Sequence, residues 1–181
     1  MAQSLKFHGK YKGVIVSRTD VKKLRDKLEL GRGKLIDLLV KNMCYIGETC
    51  IKIAREQGDY NDITGNLRSS IGYIVLSNGT VKGGGTFEQK SVSPGYRTVT
   101  QNGKQVKIKV GGDGSAGVAA GNELLSKLKA EYPYGVVLIL CAGMEYAAFV
   151  ENVRGKHVLI DAELEAQRLI DKLLGKMLKS V

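Results

Sequence analysis

An α+β fold is predicted from three observations. Leu35, Leu39, Met43, Ile46, Cys50 and Ile53 recur at helical steps of 4, 4, 3, 4 and 3, with Ile36, Val40 and Ile51 widening the stripe. Asn78-Gly79, the strongest two-residue hairpin signal, stands between two strand-like runs. Val136 to Leu140 is apolar without alternation, as in a strand covered on both faces. The expected architecture is a long amphipathic helix and a C-terminal helix packed on one face of a small antiparallel sheet, with a projecting basic β-hairpin or loop. A chain of 181 residues fits a single domain, 1–181, and its 43% hydrophobic residues can fill a core. Aromatics at 6% and the absence of Trp make that core aliphatic.

Residues 1 to 13 are basic and dotted with glycine; residues 1–12 are expected to be flexible, with order beginning near Tyr11. Val14-Ile15-Val16 suits a short strand, and Ser17 to Asp20 offers helix-capping side chains. Val21, Leu24 and Leu28 then read as a helix to Glu29, Gly31 and Gly33 predict a break, and the longer helix follows. Gly58 suits the left-handed end of that helix, and Asp59, Asn61 and Asp62 suit a turn. Thr64-Gly65-Asn66 marks a second tight point, after which Leu67, Ile71, Tyr73 and Val75 begin to alternate, giving a strand over Ser69 to Ser77.

Beyond the Asn78-Gly79 turn, Thr80 to Phe87 returns antiparallel. The tract 89–114 is read as a projecting basic ribbon or loop, partly mobile. It carries Lys90, Arg97, Lys104, Lys107 and Lys109 with no acid between Gln89 and Gly112, and its own hairpin turn at Asn102-Gly103. A helix spans Ser115 to Glu131 and stops before Pro133. Val136 to Leu140 is expected at the centre of the sheet, and Glu145 to Val153 suits either a short helix or a strand-loop edge. Leu159, Ala162, Ala166, Ile170, Leu173 and Met177 close the chain as an amphipathic helix, with Asp161 as its cap.

A net charge of +10 permits attraction to polyanions without demonstrating it. Cys44, Cys50 and Cys141 are odd in number and embedded in apolar patterns, which suits buried thiols and no disulfide. With no signal-peptide core and no long apolar run, the expectation is a soluble protein made in the cytoplasm, with no membrane partner. Gly112-Asp113-Gly114-Ser115-Ala116-Gly117 satisfies the dinucleotide-binding spacing. Yet a lysine-alternating strand precedes it and no acid ends the strand that follows, so a flexible loop is the better reading and no cofactor is expected. His8 and His157 lack neighbouring cysteines at metal-ligand spacing, and Ser115 lacks a nucleophile-elbow glycine. No catalytic residues and no metal are expected; the chain does not read as an enzyme.

The segment Asp62-Ile63-Thr64-Gly65-Asn66-Leu67-Arg68-Ser69-Ser70-Ile71, followed later by Tyr146-Ala147-Ala148-Phe149-Val150-Glu151, resembles the paired signature of a minor tail component family of long-tailed bacteriophages, described as head-tail joining, neck or tail-completion proteins. The family sets the first motif after a long amphipathic helix and the second before a C-terminal helix, and that order holds here. It usually has glycine close behind Val-Glu, whereas Asn152-Val153-Arg154 intervene before Gly155.

The resemblance implies a virion structural protein, made in the bacterial host cytoplasm, that forms a homo-oligomeric ring at the phage or prophage neck or tail terminus. Its implied partners are head-connector and tail proteins and, non-specifically, channel DNA. Thr64, Gly65, Asn66, Leu67, Arg68, Ser70, Ile71, Tyr146, Ala147, Val150 and Glu151 are its structural motif residues. Arg68 and Glu151 are solvated charges, a pair across a subunit boundary, or a buttress for the Thr64-Gly65-Asn66 turn. Lys90, Arg97, Lys104, Lys107 and Lys109 face DNA or a partner, or are merely soluble surface. The alternative function is stand-alone nucleic-acid binding through the basic ribbon.

Overall fold

The computed structural model describes residues 20–85, 87–101 and 103–178, with two-residue strands β1 (Ser4–Leu5) and β2 (Ile15–Val16) ahead of them. The expected flexibility of residues 1–12 and the ordered start at Tyr11 lie outside the described residues. The chain divides into two compact units, Met1–Leu38 and Leu39–Val181, where one domain is expected from length.

In the first unit β1 and β2 pair antiparallel, Ser4 with Val16 and Leu5 with Ile15. Helix α1 (Val21–Glu56) begins in this unit. Asp20 caps it: Oδ1 accepts from the Lys22 and Lys23 amides at 3.1 and 3.2 Å. The predicted break at Gly31 and Gly33 does not occur, and α1 runs uninterrupted for 36 residues. A glycine inside a helix costs only about 1 kcal/mol relative to alanine, too little to stop a helix whose neighbours are Leu, Lys, Arg and Glu.

The second unit is built on a three-stranded antiparallel sheet of order β4 (Thr80–Gly85), β3 (Ile71–Ser77), β7 (Val136–Ala142). The sheet and the two long helices give the predicted α+β class. β7, however, is an edge strand and β3 is central, the reverse of the expectation. Both faces of β7 are nevertheless covered: Val136, Leu138 and Leu140 join one apolar cluster, Val137, Ile139 and Cys141 the other. Its unbroken apolar run therefore reports layers above and below the sheet, and says nothing of lateral neighbours.

On the first face Ile46, Cys50, Ile51 and Ala54 of α1 and Ala162 and Ala166 of helix α5 (Ile160–Leu178) pack on Ile71, Tyr73 and Val75. On the second face Leu125 of helix α3 (Ser115–Glu131), with Leu124, Leu128 and Phe87, packs on Leu76 and Ile74. The sheet is thus clothed on both sides. Gly47 allows α1 to lie close on β3, because a methyl group there would overlap the Tyr73 ring. Asn78 (φ 49°) and Gly79 (φ 72°) make the expected tight hairpin. Asn78 also clips the turn to the segment before β7: its N–H donates to Gly135 O at 2.8 Å and its Oδ1 accepts from Gly135 N–H at 3.0 Å.

Strands β5 (Val92–Gln101) and β6 (Lys104–Gly112) form a separate two-stranded ribbon. Glu145 to Val153 resolves as helix α4 (Ala147–Asn152). The cap of α5 is Glu151 rather than the expected Asp161: Glu151 Oε1 accepts from the Leu159 and Ile160 amides at 2.9 and 2.7 Å, while Asp161 pairs with His157 Nδ1 at 2.9 Å. Glu151→Ala should cost about 1 kcal/mol of stability in urea unfolding, the usual loss of a helix-start acceptor. The three cysteines are free, and burial raises the Cys50 and Cys141 thiols to about 11. Among the described residues no helix is long and apolar enough to cross a membrane.

Candidate functional site

The first motif is built differently from its expected turn-and-strand. Gly65 sits at φ 82°, and Asn66–Ser69 then form a single helical turn, α2, before β3 opens at Ile71. Ser69 and Ser70 amides donate to Gly65 O and Asn66 O, each at 3.0 Å. Leu67 and Ile71, four residues apart, therefore drop into the same core, a helical spacing that alternation had disguised.

The second motif meets the first. The Tyr146 pKa is raised, chiefly by burial and by the Asp62 charge, against the opposing pull of the Thr64 side chain. Ser70 O accepts from Gly143 N–H at 3.0 Å, and Ala147 and Val150 join the cluster that holds Leu67 and Ile71. Phe149 instead lies half exposed, with the Arg154 guanidinium 5.6 Å from its ring centre. Arg68 and Glu151 do not form a pair with each other. Arg68 Nε stands 3.5 Å from Asp62 Oδ2, its guanidinium 5.8 Å from the Tyr60 ring centre, and so it buttresses the turn, while Glu151 starts α5. Burial pushes the Asp62 carboxyl up, against the opposing pull of Arg68, the Gly65 amide and Arg97.

The glycine-rich stretch is a packed seam, where a flexible loop is expected. A methyl on Gly112 would overlap the Thr64 carbonyl, one on Gly114 the Ser69 hydroxyl and the Lys90 carbonyl, and one on Gly117 the Asn66 backbone. Its three glycines thus let the start of α3 press backbone to backbone on the Thr64-Gly65-Asn66 turn. The amide and hydroxyl of Ser115 both donate to Asp113 Oδ1, at 3.0 and 2.8 Å, so the opening of α3 is held by its own carboxylate. Nothing in the sequence linked the Gly65 turn to this glycine-rich stretch, which lies some fifty residues on.

The basic positions divide. Lys90 belongs to the seam: its amide donates to Ser69 Oγ at 2.8 Å and its ammonium pairs with Glu88 at 2.7 Å. In the ribbon, Tyr96 pairs with Lys109 and Thr98 with Lys107, so the two lysines share one face with Tyr96, which is 78% exposed. Arg97, opposite Ile108, and Lys104, opposite Gln101, lie on the other face, which carries the buried Val99 and Val110. Sequence order alone had merged these into one basic surface.

Beside the turn, a groove of about 490 Å³ is lined by Tyr45, Glu48, Lys52, Arg55, Arg68, Glu88 and Lys90. Arg55 Nη1 pairs with Glu88 at 3.2 Å and Nη2 donates to Ile71 O at 2.7 Å, tying α1 to the start of β3. Lys90, by hydrogen bond, holds the Glu88 carboxyl below its ordinary value. Its charges are arranged as structural ion pairs.

At another corner Asp59 joins the end of α1 to the approach to α5, accepting from the His157 amide at 2.6 Å and from Lys156 Nζ at 3.1 Å. These bonds lower its pKa, so its contribution is present above the ordinary carboxylate value and is lost as pH falls through the lowered one. The hydrogen bond to Asp161 raises the His157 pKa, so that contribution is complete below about 6.5 and is lost as pH rises through the raised value. In an NMR titration Asp161→Asn should return His157 toward its ordinary pKa; an unchanged midpoint would exclude this pairing.

Comparison with protein-family models, curated proteins and solved structures returned no match to this chain.

Proposed function

We propose that this chain is a virion structural protein of a tailed bacteriophage or prophage, acting at the head-tail neck or tail terminus, where copies close into a ring in tail completion or head-tail joining. The observation that supports the reading is the meeting of the two signature motifs. Ser70 O accepts from the strand-end Gly143 N–H, and Leu67, Ile71, Ala147 and Val150 share one core. In this reading the work of these residues is shape and self-contact, with no reaction performed. A closed ring repeats one head-to-tail interface, and the β5–β6 ribbon supplies an arm able to reach the neighbouring subunit. Head-connector and tail proteins are its neighbours, and channel DNA is a non-specific contact.

Immunogold electron microscopy of particles should place the chain at the neck or tail end, and labelling elsewhere would end the proposal. A variant with residues 96–109 replaced by a two-residue turn should fold yet fail to assemble; normal assembly would remove the ribbon from the interface. The face bearing Tyr96, Lys107 and Lys109 favours a second reading, nucleic-acid binding by the unassembled chain. On that reading the affinity for free DNA depends steeply on salt, and Lys107→Ala with Lys109→Ala lowers the salt slope by about 2.

A further inference from the structure

The N-terminal half of α1 carries a seam that neither the signature motifs nor the ribbon explains. Val21, Leu24, Leu28, Leu35 and Leu38 step by 3, 4, 7 and 3, the a/d spacing of a coiled coil, and are 46% to 66% exposed. The vacant d place is Gly31, with open space where a side chain would stand, so the seam has a notch at its middle. It is bordered by Arg25 and Lys27, then Arg32 and Lys34, at the e and g places. Asp26, Glu29 and Asp37 fall at f, b and c, away from the seam, Glu29 pairs with Arg32 at 3.1 Å, and the one acid at a flanking place, Asp20 at g ahead of Val21, is engaged in capping the helix.

We infer that this seam docks an acidic amphipathic helix of another protein, with apolar residues at its own a and d places and Asp or Glu at e and g. The inference stands independently of the ring proposal. A second copy is a poor occupant, because parallel pairing opposes Lys27 to Arg32 and antiparallel pairing opposes basic e to basic e and basic g to basic g. Residues 1–19 of the chain itself carry Lys6, Lys10, Lys12 and Arg18 and no acid, so they do not supply the missing charge. A membrane-lying helix needs a wide apolar face, whereas between Val21 and Leu38 only Leu30 and Ile36 are apolar off the a and d places, cations edge the seam, and the helix has no aromatic before Tyr45. The seam is ~27 Å long at 1.5 Å per residue, enough for five turns of a partner, and the Gly31 notch admits one large side chain.

The test uses the full chain and two synthetic 21-residue peptides with Leu and Ile at a and d, one carrying Glu and the other Lys at every e and g place, followed by fluorescence anisotropy. The Glu peptide should bind at least roughly tenfold tighter than the Lys peptide and weaken with salt. Leu28→Gln with Leu35→Gln should lose at least roughly tenfold in that affinity while circular dichroism stays unchanged. Equal binding of the two peptides, or no binding of either, overturns the proposal. So does self-association that the same double variant abolishes, which would make a second copy the occupant. Retention on phosphatidylserine-containing vesicles in preference to the Glu peptide, lost in that variant, would make it a lipid surface.

Discussion

Gly65→Ala should destabilise the Leu39–Val181 unit by about 3 kcal/mol and lower its Tm by roughly 6 to 12 °C. Two costs add. The left-handed backbone at φ 82° costs a side-chain-bearing residue about 1–2 kcal/mol. The new methyl also overlaps the Lys90 carbonyl, which has little room to retreat: the Lys90 amide is bonded to Ser69 and its carbonyl is pressed against Gly114. Gly155→Ala is the control, since Gly155 has φ 59° but open space around it and should show the conformational cost alone. Equal losses at the two sites in urea unfolding would mean that the seam yields and that the overlap carries no energy.

Tyr73→Ala should cost about 3–5 kcal/mol, the range for emptying a large buried ring, and Tyr73→Phe only about 1 kcal/mol. The ring is 1% exposed, and the only polar contact Phe gives up is the hydroxyl donated to Glu48 Oε1 at 2.9 Å. Gly47 adds a sharper expectation. Gly47→Ala drives a methyl into the ring when Tyr73 is present, but in the Tyr73→Ala background it meets space and recovers the helix propensity of alanine. A double-mutant cycle should therefore give a favourable coupling of about 1–3 kcal/mol, and strict additivity would place α1 further from β3 than the Gly47 contact requires.

Local signals proved readable where one short segment decides its own structure. Pro133 closes α3, Asn78-Gly79 turns the hairpin, and the apolar stripe of Leu159 to Ile170 belongs to α5. They failed where the decision is made between distant segments. The apolar run of β7 gave its two covered faces but not its edge position, because strand order depends on which neighbour offers a ladder. Gly31 and Gly33 were read as a stop although a glycine only weakens a helix. The Gly112 to Gly117 stretch reads in sequence as a flexible loop, yet its glycines answer to the backbone of Thr64, Asn66 and Lys90. Arg68 was marked by the motif, while its partners Asp62 and Tyr60 became evident only once the turn was folded.

The placement of the thiols gives the molecule two internal reporters. Cys50 belongs to the layer between α1, α5 and the sheet, Cys141 to the layer beneath α3, and Cys44 is half-buried on α1. Protonated and shielded, Cys50 and Cys141 should resist alkylation until their own layer opens, so their labelling rates time the lifting of each side separately. Matching rates would describe a sheet that sheds both coverings in one event, and diverging rates would identify the covering that leaves first.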